Sequence, residues 1–212
     1  MEKSSYTSEQ LLRITDQMKR CICLIKLKEI MGTGFFCTFP VPNKHSYVHA
    51  LITNNHIINE HMIKEGIQIN IGIDNIREKR IIKIANDRKV YTNEEYNITI
   101  IEIKEKDEIT NFLELDDNIY NSDILVKSNI YFLYYLGNYN TARVSFGMLK
   151  KIEGFTIYHD CSSGMGSSGG PLLSSKTHKV IGIHIGSMKP HNLNIGSLLS
   201  QAVNEFLNNS LK

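Results

Sequence analysis

Residues 166–171 of this 212-residue chain read GSSGGP, a pair of serines between glycines that closes on a proline. Such a stretch is either a glycine-rich turn or a loop that carries a nucleophile. The second interpretation needs chemistry, because a serine hydroxyl attacks only when a base removes its proton and donors stabilise the oxyanion. The backbone N–H groups of Gly166 and Ser168 are the candidate donors, since glycine can adopt angles that turn its N–H inward. The base must come from elsewhere.

The candidate base is His56, which stands where an apolar, strand-like run meets a polar turn in ALITNNHII, residues 50–58. Alone, a histidine at the end of a strand is most often a surface residue. The segment GTGFF, at residues 32–36, precedes it in the chain. The order GTGFF, ALITNNHII, GSSGGP therefore favours the nucleophile loop over a simple turn.

The composition is that of an ordinary globular protein, with 42% hydrophobic and 22% charged residues and a formal net charge of +2. There is no basic block or aromatic-basic repeat, so nucleic acid is not expected as a partner. No run approaches the roughly 18 apolar residues that cross a bilayer, so no membrane partner is expected either. The four cysteines lack the spacing of metal ligands, and neither a metal nor another cofactor is predicted.

The first twenty residues lack the apolar segment of a signal peptide, which predicts a cytoplasmic location. Cys21 and Cys23 would lie on one face of one strand, which is the wrong geometry for a mutual bridge. We therefore expect reduced thiols. Whether the chain acts with a regulatory partner, or as part of a larger host protein, stays open.

The hydrophobic pattern predicts an all-β fold. Short β-branched or aromatic runs, bounded by turn residues, form one series over residues 21–103 and a second over 130–199, with GTG interrupting the first. Two series joined by a stretch without strong period favour two β-barrels packed together. The predicted organisation is an N-terminal helix (1–19), an N-terminal β-barrel (20–110), a linker (111–125), a C-terminal β-barrel (126–199) and a C-terminal helix (200–212), which together form one domain.

In this order the motifs resemble those of the chymotrypsin-like (trypsin-fold) serine peptidases, in particular their compact intracellular, trypsin-like members. VIGIHIG at 180–186 is similar to the strand that lines the substrate cleft, and NIG at 194–196 is similar to the last strand. The similarity spans roughly residues 20–207. It implies two packed six-stranded antiparallel β-barrels with short terminal helices, and a serine endopeptidase that acts on proteins or peptides.

The resemblance implies that Ser168 is the nucleophile, His56 is the general base, and the N–H groups of Gly166 and Ser168 form the oxyanion hole. The third catalytic position of the family is an aspartate at the start of a strand, and here Asn97 occupies it, in NITIIE. A neutral amide can orient the histidine through its oxygen or select the wrong tautomer through its NH2. The corresponding change in a serine protease lowers kcat by about 10⁴.

Three interpretations of Asn97 follow. It is a natural but weak orienting residue, it is an engineered change that reduces activity, or a nearby acid (Glu94, Glu95 or Asp87) takes the place of the aspartate. The first two are favoured equally, because Glu94 and Glu95 precede the strand and point elsewhere. The alternative function is an impaired pseudoprotease that serves as a protein-binding or regulatory module.

Two further departures from the family concern activation and redox state. Ser167 replaces the aspartate that, in many secreted relatives, pairs with a new N-terminus after zymogen cleavage. We therefore expect a competent oxyanion loop without cleavage. Ile57 and Gly164 stand where relatives have cysteines, which agrees with a reducing compartment.

The resemblance places the S1 pocket between residues 160–165 and 184–187. GIHIG is similar to the pocket strand of glutamyl endopeptidases and picornavirus main proteases, whose histidine contacts a Glu or Gln side chain at P1. His184, with the hydroxyls of Ser163 and Ser187, is therefore the candidate substrate-binding set, and a preference for Glu or Gln is expected. Otherwise His184 is a strand residue with no role in the pocket.

Asp160 is a competing feature, because an acid in the pocket would favour a basic P1 side chain. It lies two residues too far from Ser168 for the trypsin pocket position, which is Ser162 here.

Overall fold

The computed structural model describes residues 6–41, 45–85, 87–137, 140–188 and 193–208. The helices are α1 (Ser8–Arg20), α2 (Glu60–Lys64) and α3 (Ser200–Asn208). The strands are β1 (Ile22–Leu27), β2 (Ile30–Pro40), β3 (Tyr47–Thr53), β4 (Gln68–Ile73), β5 (Glu78–Lys83), β6 (Val90–Asn93), β7 (Ile98–Glu102), β8 (Leu113–Glu114), β9 (Asn129–Leu136), β10 (Thr141–Glu153), β11 (Thr156–His159), β12 (Pro171–Ser174), β13 (Val180–Met188) and β14 (Leu193–Leu198).

The second strand series forms a closed six-stranded barrel in the order β10-β11-β14-β13-β12-β9. All of its pairs are antiparallel. Buried aliphatic and aromatic side chains from every wall fill it, among them Phe132, Leu149 and Ile181. The expected all-β, chymotrypsin-like architecture is thereby confirmed.

The first strand series forms a sheet in the order β5-β4-β1-β2-β3-β7-β6, and β8 adds to β2 in parallel. Two more strands are present than the six expected, because β6 and β8 are too short to stand out in the sequence. Inside the sheet lies a cluster of buried residues that includes Phe36, Leu51 and Ile101. A second cluster, with Phe35, Tyr131 and Phe206, joins this sheet to the barrel and to α3.

Arg88 bridges β5, at one edge of the first sheet, and β7, the strand next to the other edge. Its guanidinium donates to the carbonyl of Lys83 at the end of β5 and to the carbonyl of Glu102 at the end of β7. It also forms a two-point ion pair with Asp107, at 2.7 and 2.9 Å. Both charged side chains are almost completely buried. Side-chain contacts of Arg88 thus join β5 to β7, two strands that no backbone pairing connects.

Helix α1 begins at Ser8, with Thr7 as its N-cap in a reciprocal capping box with Gln10. Its apolar side chains do not all face the protein. Leu11 and Leu12 are 46% and 71% exposed, whereas Ile14 is buried against the core. None of the helices described is long and apolar enough to cross a membrane.

The glycines of GTG do not interrupt the strand, since β2 continues through Gly32, Thr33 and Gly34 in register with β1. A side chain could not be accommodated there: a Cβ on Gly32 would lie 2.2 Å from Ile57 Cδ1, and one on Gly34 would lie 2.8 Å from Ile25 Cδ1. Packing from the neighbouring elements therefore explains the glycines better than a break does.

The four cysteines are buried and unpaired. Burial raises the pKa of the Cys161 thiol to about 12, so it stays protonated at neutral pH.

Candidate active site

The two glycine-containing motifs meet in space. The N–H of Thr33, in β2, donates to the carbonyl of Ser168 at 2.8 Å. A Cβ on Gly169 would lie only 2.0 Å from the Thr33 oxygen. Ile57, the neighbour of His56, and the Ser168 carbonyl both flank Gly32. The loop that carries Ser168 is therefore packed against the segment that carries His56.

Two consecutive turns shape the candidate nucleophile loop. In the first, the N–H of Ser167 donates to the carbonyl of Gly164 at 3.0 Å, and Gly166 in the third position has φ +89°. In the second, Gly170 donates to Ser167 at 3.1 Å, and Gly169 has φ +88°. A positive φ at the third position identifies a type II turn, which glycine adopts without strain. Ser168 thus occupies the second of the four positions of a tight turn, directly before Gly169.

The peptide between Met165 and Gly166 has a defined orientation. Its carbonyl accepts the N–H of Gly137 at 2.9 Å. Because the C=O and N–H of a trans peptide point in opposite directions, the N–H of Gly166 points away from Gly137. Within the described residues, neither this N–H nor that of Ser168 has a hydrogen-bond acceptor. Both are available to an oxygen of a ligand.

Asn97 is held at the end of the turn that precedes β7. Its N–H donates to the carbonyl of Glu94, and its φ is +53°, a left-handed value that asparagine tolerates. Its own carbonyl accepts the side-chain N–H of Asn54 at 2.9 Å. These contacts aim its amide at His56, which follows β3. Asn97 Oδ1 accepts the backbone N–H of His56 at 3.0 Å.

The ring of His56 lies within reach of both ends of that amide. Its Nδ1 is 3.1 Å from Asn97 Oδ1 and 2.9 Å from Nδ2. Contact with Oδ1 requires a proton on Nδ1, whereas contact with Nδ2 requires a lone pair there. Burial lowers the pKa of His56 below its usual 6.5, and the hydrogen bond with Asn97 opposes this only in part. The ring is therefore neutral at pH 7.

Ser168 is turned away from His56. Its hydroxyl donates to the carbonyl of Ile185, in β13, at 3.0 Å. Among the described residues it has no hydrogen bond to the histidine. Rotation of χ1, a motion of the side chain alone, would exchange that acceptor for another.

The three acids considered as substitutes for an aspartate do not contact His56. Asp87 pairs with Lys104 and Lys106 at 3.0 and 3.3 Å. Glu94 and Glu95 belong to the exposed turn before β7.

His184 lies in the middle of β13, directly behind the nucleophile loop. Its backbone donates to Gly170 and accepts from Gly169, each at 2.9 Å. Its ring is almost completely buried against Phe132, and its Nδ1 is 3.2 Å from His159 Nε2. Burial lowers the pKa of His184 to about 3, reinforced by the neighbouring His159, and burial lowers that of His159 to about 4. Both rings are therefore neutral at ordinary pH.

The other candidate pocket residues are brought together by Asn194. Its Oδ1 accepts the hydroxyl proton of Ser163 at 2.8 Å, and its Nδ2 donates to the carbonyl of Cys161. Its backbone pairs with Ser187 across β13 and β14, and Ser187 is exposed. The segments at 160–165 and 184–187 are thus linked through one asparagine, by its side chain to the first and by its backbone to the second.

Asp160 is engaged elsewhere. Its carboxylate pairs with Lys150 at 2.6 Å and accepts the N–H of Met148 at 2.6 Å. Partial burial opposes ionisation of Asp160, but these contacts outweigh it and lower the pKa of the carboxyl. Ser162 donates its N–H to the hydroxyl of Ser145. The acid is therefore neutralised within the protein.

Sequence reasoning missed two participants in this region. Thr33 lies in the GTG motif, in which only the two flanking glycines suggested a structural role. His159 is the last residue of a short strand, and no sequence spacing connects it to His184. Its Nδ1 is buried without a hydrogen-bond partner among the described residues.

The family model described as a trypsin-like peptidase domain matches residues 32–183, which is more than half of the chain. No curated protein sequence matches this chain. Among solved structures, the serine endoprotease from Yersinia pestis is similar with a TM-score of 0.66 at 15% identity, over 98% of this chain and 69% of that one.

The inactive form of the Rv3671c protease is similar with a TM-score of 0.67 at 12% identity, over 97% of both chains. A mutant of Rv3671c from M. tuberculosis H37Rv, also in an inactive form, has the same score and identity, over 97% of this chain and 94% of its own. At such identities the likeness concerns the fold.

Proposed function

The chain belongs to the trypsin-like peptidase family and is a serine protease, and from that premise we propose that it is an endopeptidase with Ser168 as nucleophile and His56 as general base. The observation that carries the proposal is that Ile57, the neighbour of His56, and the carbonyl of Ser168 both flank Gly32, while the N–H groups of Gly166 and Ser168 have no acceptor among the described residues.

The reaction we infer is acyl transfer in two steps. The hydroxyl of Ser168 leaves the Ile185 carbonyl, gives its proton to His56 Nε2, and its oxygen attacks the carbonyl carbon of the scissile bond. The substrate oxygen becomes an oxyanion, which accepts from the N–H groups of Gly166 and Ser168. As the C–N bond breaks, the histidine proton passes to the departing amine. Water then attacks the acyl-serine by the same route and releases the acid and Ser168.

Asn97 has a mixed role in this proposal. Its Oδ1 can hold the productive tautomer of His56, but it also binds the backbone N–H of the same residue. Its Nδ2, at 2.9 Å, competes by favouring the tautomer with the proton on Nε2, which cannot accept from Ser168. As a neutral group it also gives little stabilisation to the imidazolium. The wild-type triad is therefore weak.

For the P1 side chain we propose Glu or Gln, read by His184 with Ser163 and Ser187. Nδ1 of His159 is buried without a partner among the described residues, and burying an unpaired lone pair there costs less free energy than burying an unpaired N–H. His159 Nε2 therefore carries the proton. It then donates to His184 Nδ1, which leaves the proton of His184 on Nε2. A neutral N–H donor suits the amide oxygen of Gln better than it suits a charged carboxylate, so Gln is the preferred substrate.

Labelling with a fluorophosphonate probe tests the nucleophile. The expected result is labelling of the wild type at Ser168, with loss of label in Ser168→Ala and in His56→Ala. If neither the wild type nor Asn97→Asp is labelled, the endopeptidase proposal fails. The pseudoprotease that serves as a binding module would then be the better account.

A further inference from the structure

We propose that Thr33 is a positioning residue, whose side-chain hydroxyl holds the Gly164–Ser167 turn in the state that presents the Gly166 N–H to substrate. The inference rests on the proposed role of Gly166 as an oxyanion donor. It adds a residue of the N-terminal sheet to a loop that belongs entirely to the C-terminal barrel.

The hydroxyl of Thr33 makes two hydrogen bonds and lies away from water. It donates to the carbonyl of Gly166 at 2.8 Å and accepts the N–H of Tyr135, in β9, at 2.9 Å. Thr33 and Tyr135 are both fully buried. A buried hydroxyl that satisfies two backbone groups is costly to remove, because both groups are then left unpaired.

The hydroxyl also restrains the orientation of the Met165–Gly166 peptide, which carries the N–H of Gly166. The carbonyl of Met165, before Gly166, is held by the N–H of Gly137, and the carbonyl of Gly166, after it, is held by Thr33. A change from type II to type I would turn the Met165–Gly166 peptide over and bring φ of Gly166 from +89° to about −90°. That change would point a carbonyl, not an N–H, at the substrate oxygen. The Thr33 bond opposes it from one side and the Gly137 bond from the other.

The position of Thr33 in its strand explains why this residue can reach the loop. The pairing of β2 with β3 begins only at Phe35, so β2 is free on that side at Thr33. Its N–H bonds the Ser168 carbonyl instead, and its own carbonyl accepts the hydroxyl of Thr53 at 2.8 Å. The glycine at 169 permits the approach, since a Cβ there would collide with the Thr33 oxygen. The GTG and GSSGGP motifs therefore pack directly against each other.

Ser167 offers no comparable anchor. Its hydroxyl accepts the N–H of Gly164 at 3.3 Å, a contact inside the same turn. Such a contact moves with the turn and cannot tie it to the rest of the protein. The tie to the other sheet runs through Thr33.

The test compares three variants in the full chain. Thr33→Val keeps the shape and removes the hydroxyl, Thr33→Ser keeps the hydroxyl, and Thr53→Val removes a neighbouring buried hydroxyl that does not touch Gly166. For Thr33→Val we expect kcat and the rate of fluorophosphonate labelling to fall by about 10²-fold, the loss associated with one oxyanion donor, with KM nearly unchanged. Thr33→Ser and Thr53→Val should stay close to wild type.

A crystal structure of Thr33→Val supplies a readout that does not depend on activity. We expect the Met165–Gly166 peptide to be turned over, with φ of Gly166 negative. An unchanged turn, an unchanged kcat, or equal losses in Thr33→Val and Thr53→Val would each overturn the inference. Failure of labelling in wild type and Asn97→Asp would instead refute the proposed function, and the crystal structure would still decide the role of Thr33.

Discussion

The side-chain amide of Asn97 makes three contacts with His56, one to its backbone N–H and two to its ring Nδ1. Oδ1 of Asn97 accepts the backbone N–H of His56 at 3.0 Å, and Nδ2 lies 2.9 Å from the ring Nδ1. The backbone N–H needs an acceptor, so the amide cannot be turned around without losing that bond. The hydrogen bond between Asn97 Oδ1 and the His56 backbone N–H, which orients the amide, therefore also places the Nδ2 donor against the ring Nδ1.

Asn97→Asp should raise activity. A carboxylate offers an acceptor to the backbone N–H and a second acceptor to Nδ1–H, so the productive tautomer is held and the imidazolium is stabilised. The reverse change costs about 10⁴ in kcat in a serine protease, and we expect a gain on the order of 10² to 10⁴. The measurement is kcat on a peptide substrate, together with the rate of fluorophosphonate labelling.

Asn55→Asp is the matched control for that gain. Asn55 precedes His56 and donates to the hydroxyl of Thr92, so the variant adds the same negative charge close to the site but not behind the ring. It should leave kcat near the wild-type value. Equal gains in the two variants would show that charge alone is responsible and would refute the tautomer argument.

The pH profile of kcat/KM should report the pKa of His56. Burial lowers this pKa below 6.5, so the base is neutral, and activity present, down to a pH below that value. Activity is lost as pH falls through the lowered pKa. In Asn97→Asp the new charge favours the imidazolium, so the acid limb should move to higher pH by about one unit or more. A limb that stays in place in the variant would contradict the assignment of His56 as the base.

The sequence predicts the strands whose own residues favour β structure. Three strands of the closed barrel, β9, β11 and β13, are rich in β-branched or aromatic residues. By contrast, β2 runs through GTG because neighbours hold it there, a tertiary effect that local propensity does not contain. The exposed Leu11 and Leu12 have the same explanation, since the face of α1 is chosen by what it packs on.

The candidate site divides in the same way. Motifs identify Ser168, His56 and Asn97, because each occupies a recognisable place in a segment. The motifs do not predict how these side chains are oriented. The hydrogen bond of the Ser168 hydroxyl to Ile185, and the contacts of the Asn97 amide with both the ring and the backbone of His56, depend on atoms brought together by folding. The sequence specifies which side chains are present, whereas their orientation depends on the packing of the folded chain.

Substrate profiling should find cleavage after Gln in preference to Glu. The ring of His184 stays neutral because burial and the nearby His159 hold its pKa at about 3, so the ratio of Gln to Glu cleavage should not change between pH 5 and 8. His159→Phe removes the donor that sets the tautomer of His184. In that variant kcat/KM for Gln substrates should fall about tenfold, mainly through KM, whereas His159→Gln keeps a donor and should retain more activity. Cleavage only after Lys or Arg would refute the role of His184.

Asp107→Ala should destabilise the protein by roughly 3–5 kcal/mol, the cost of leaving a buried charge unpaired. Arg88 would keep its bonds to the Lys83 and Glu102 carbonyls but lose its counter-ion, which leaves a buried charge unpaired between β5 and β7. The measurement is the midpoint of urea unfolding. Glu60→Ala is the control, because its pair with Lys64 spans 2.8 Å on the exposed surface of α2 and should matter little. Similar midpoints for the two variants would mean that the buried ion pair does not stabilise the contact between β5 and β7.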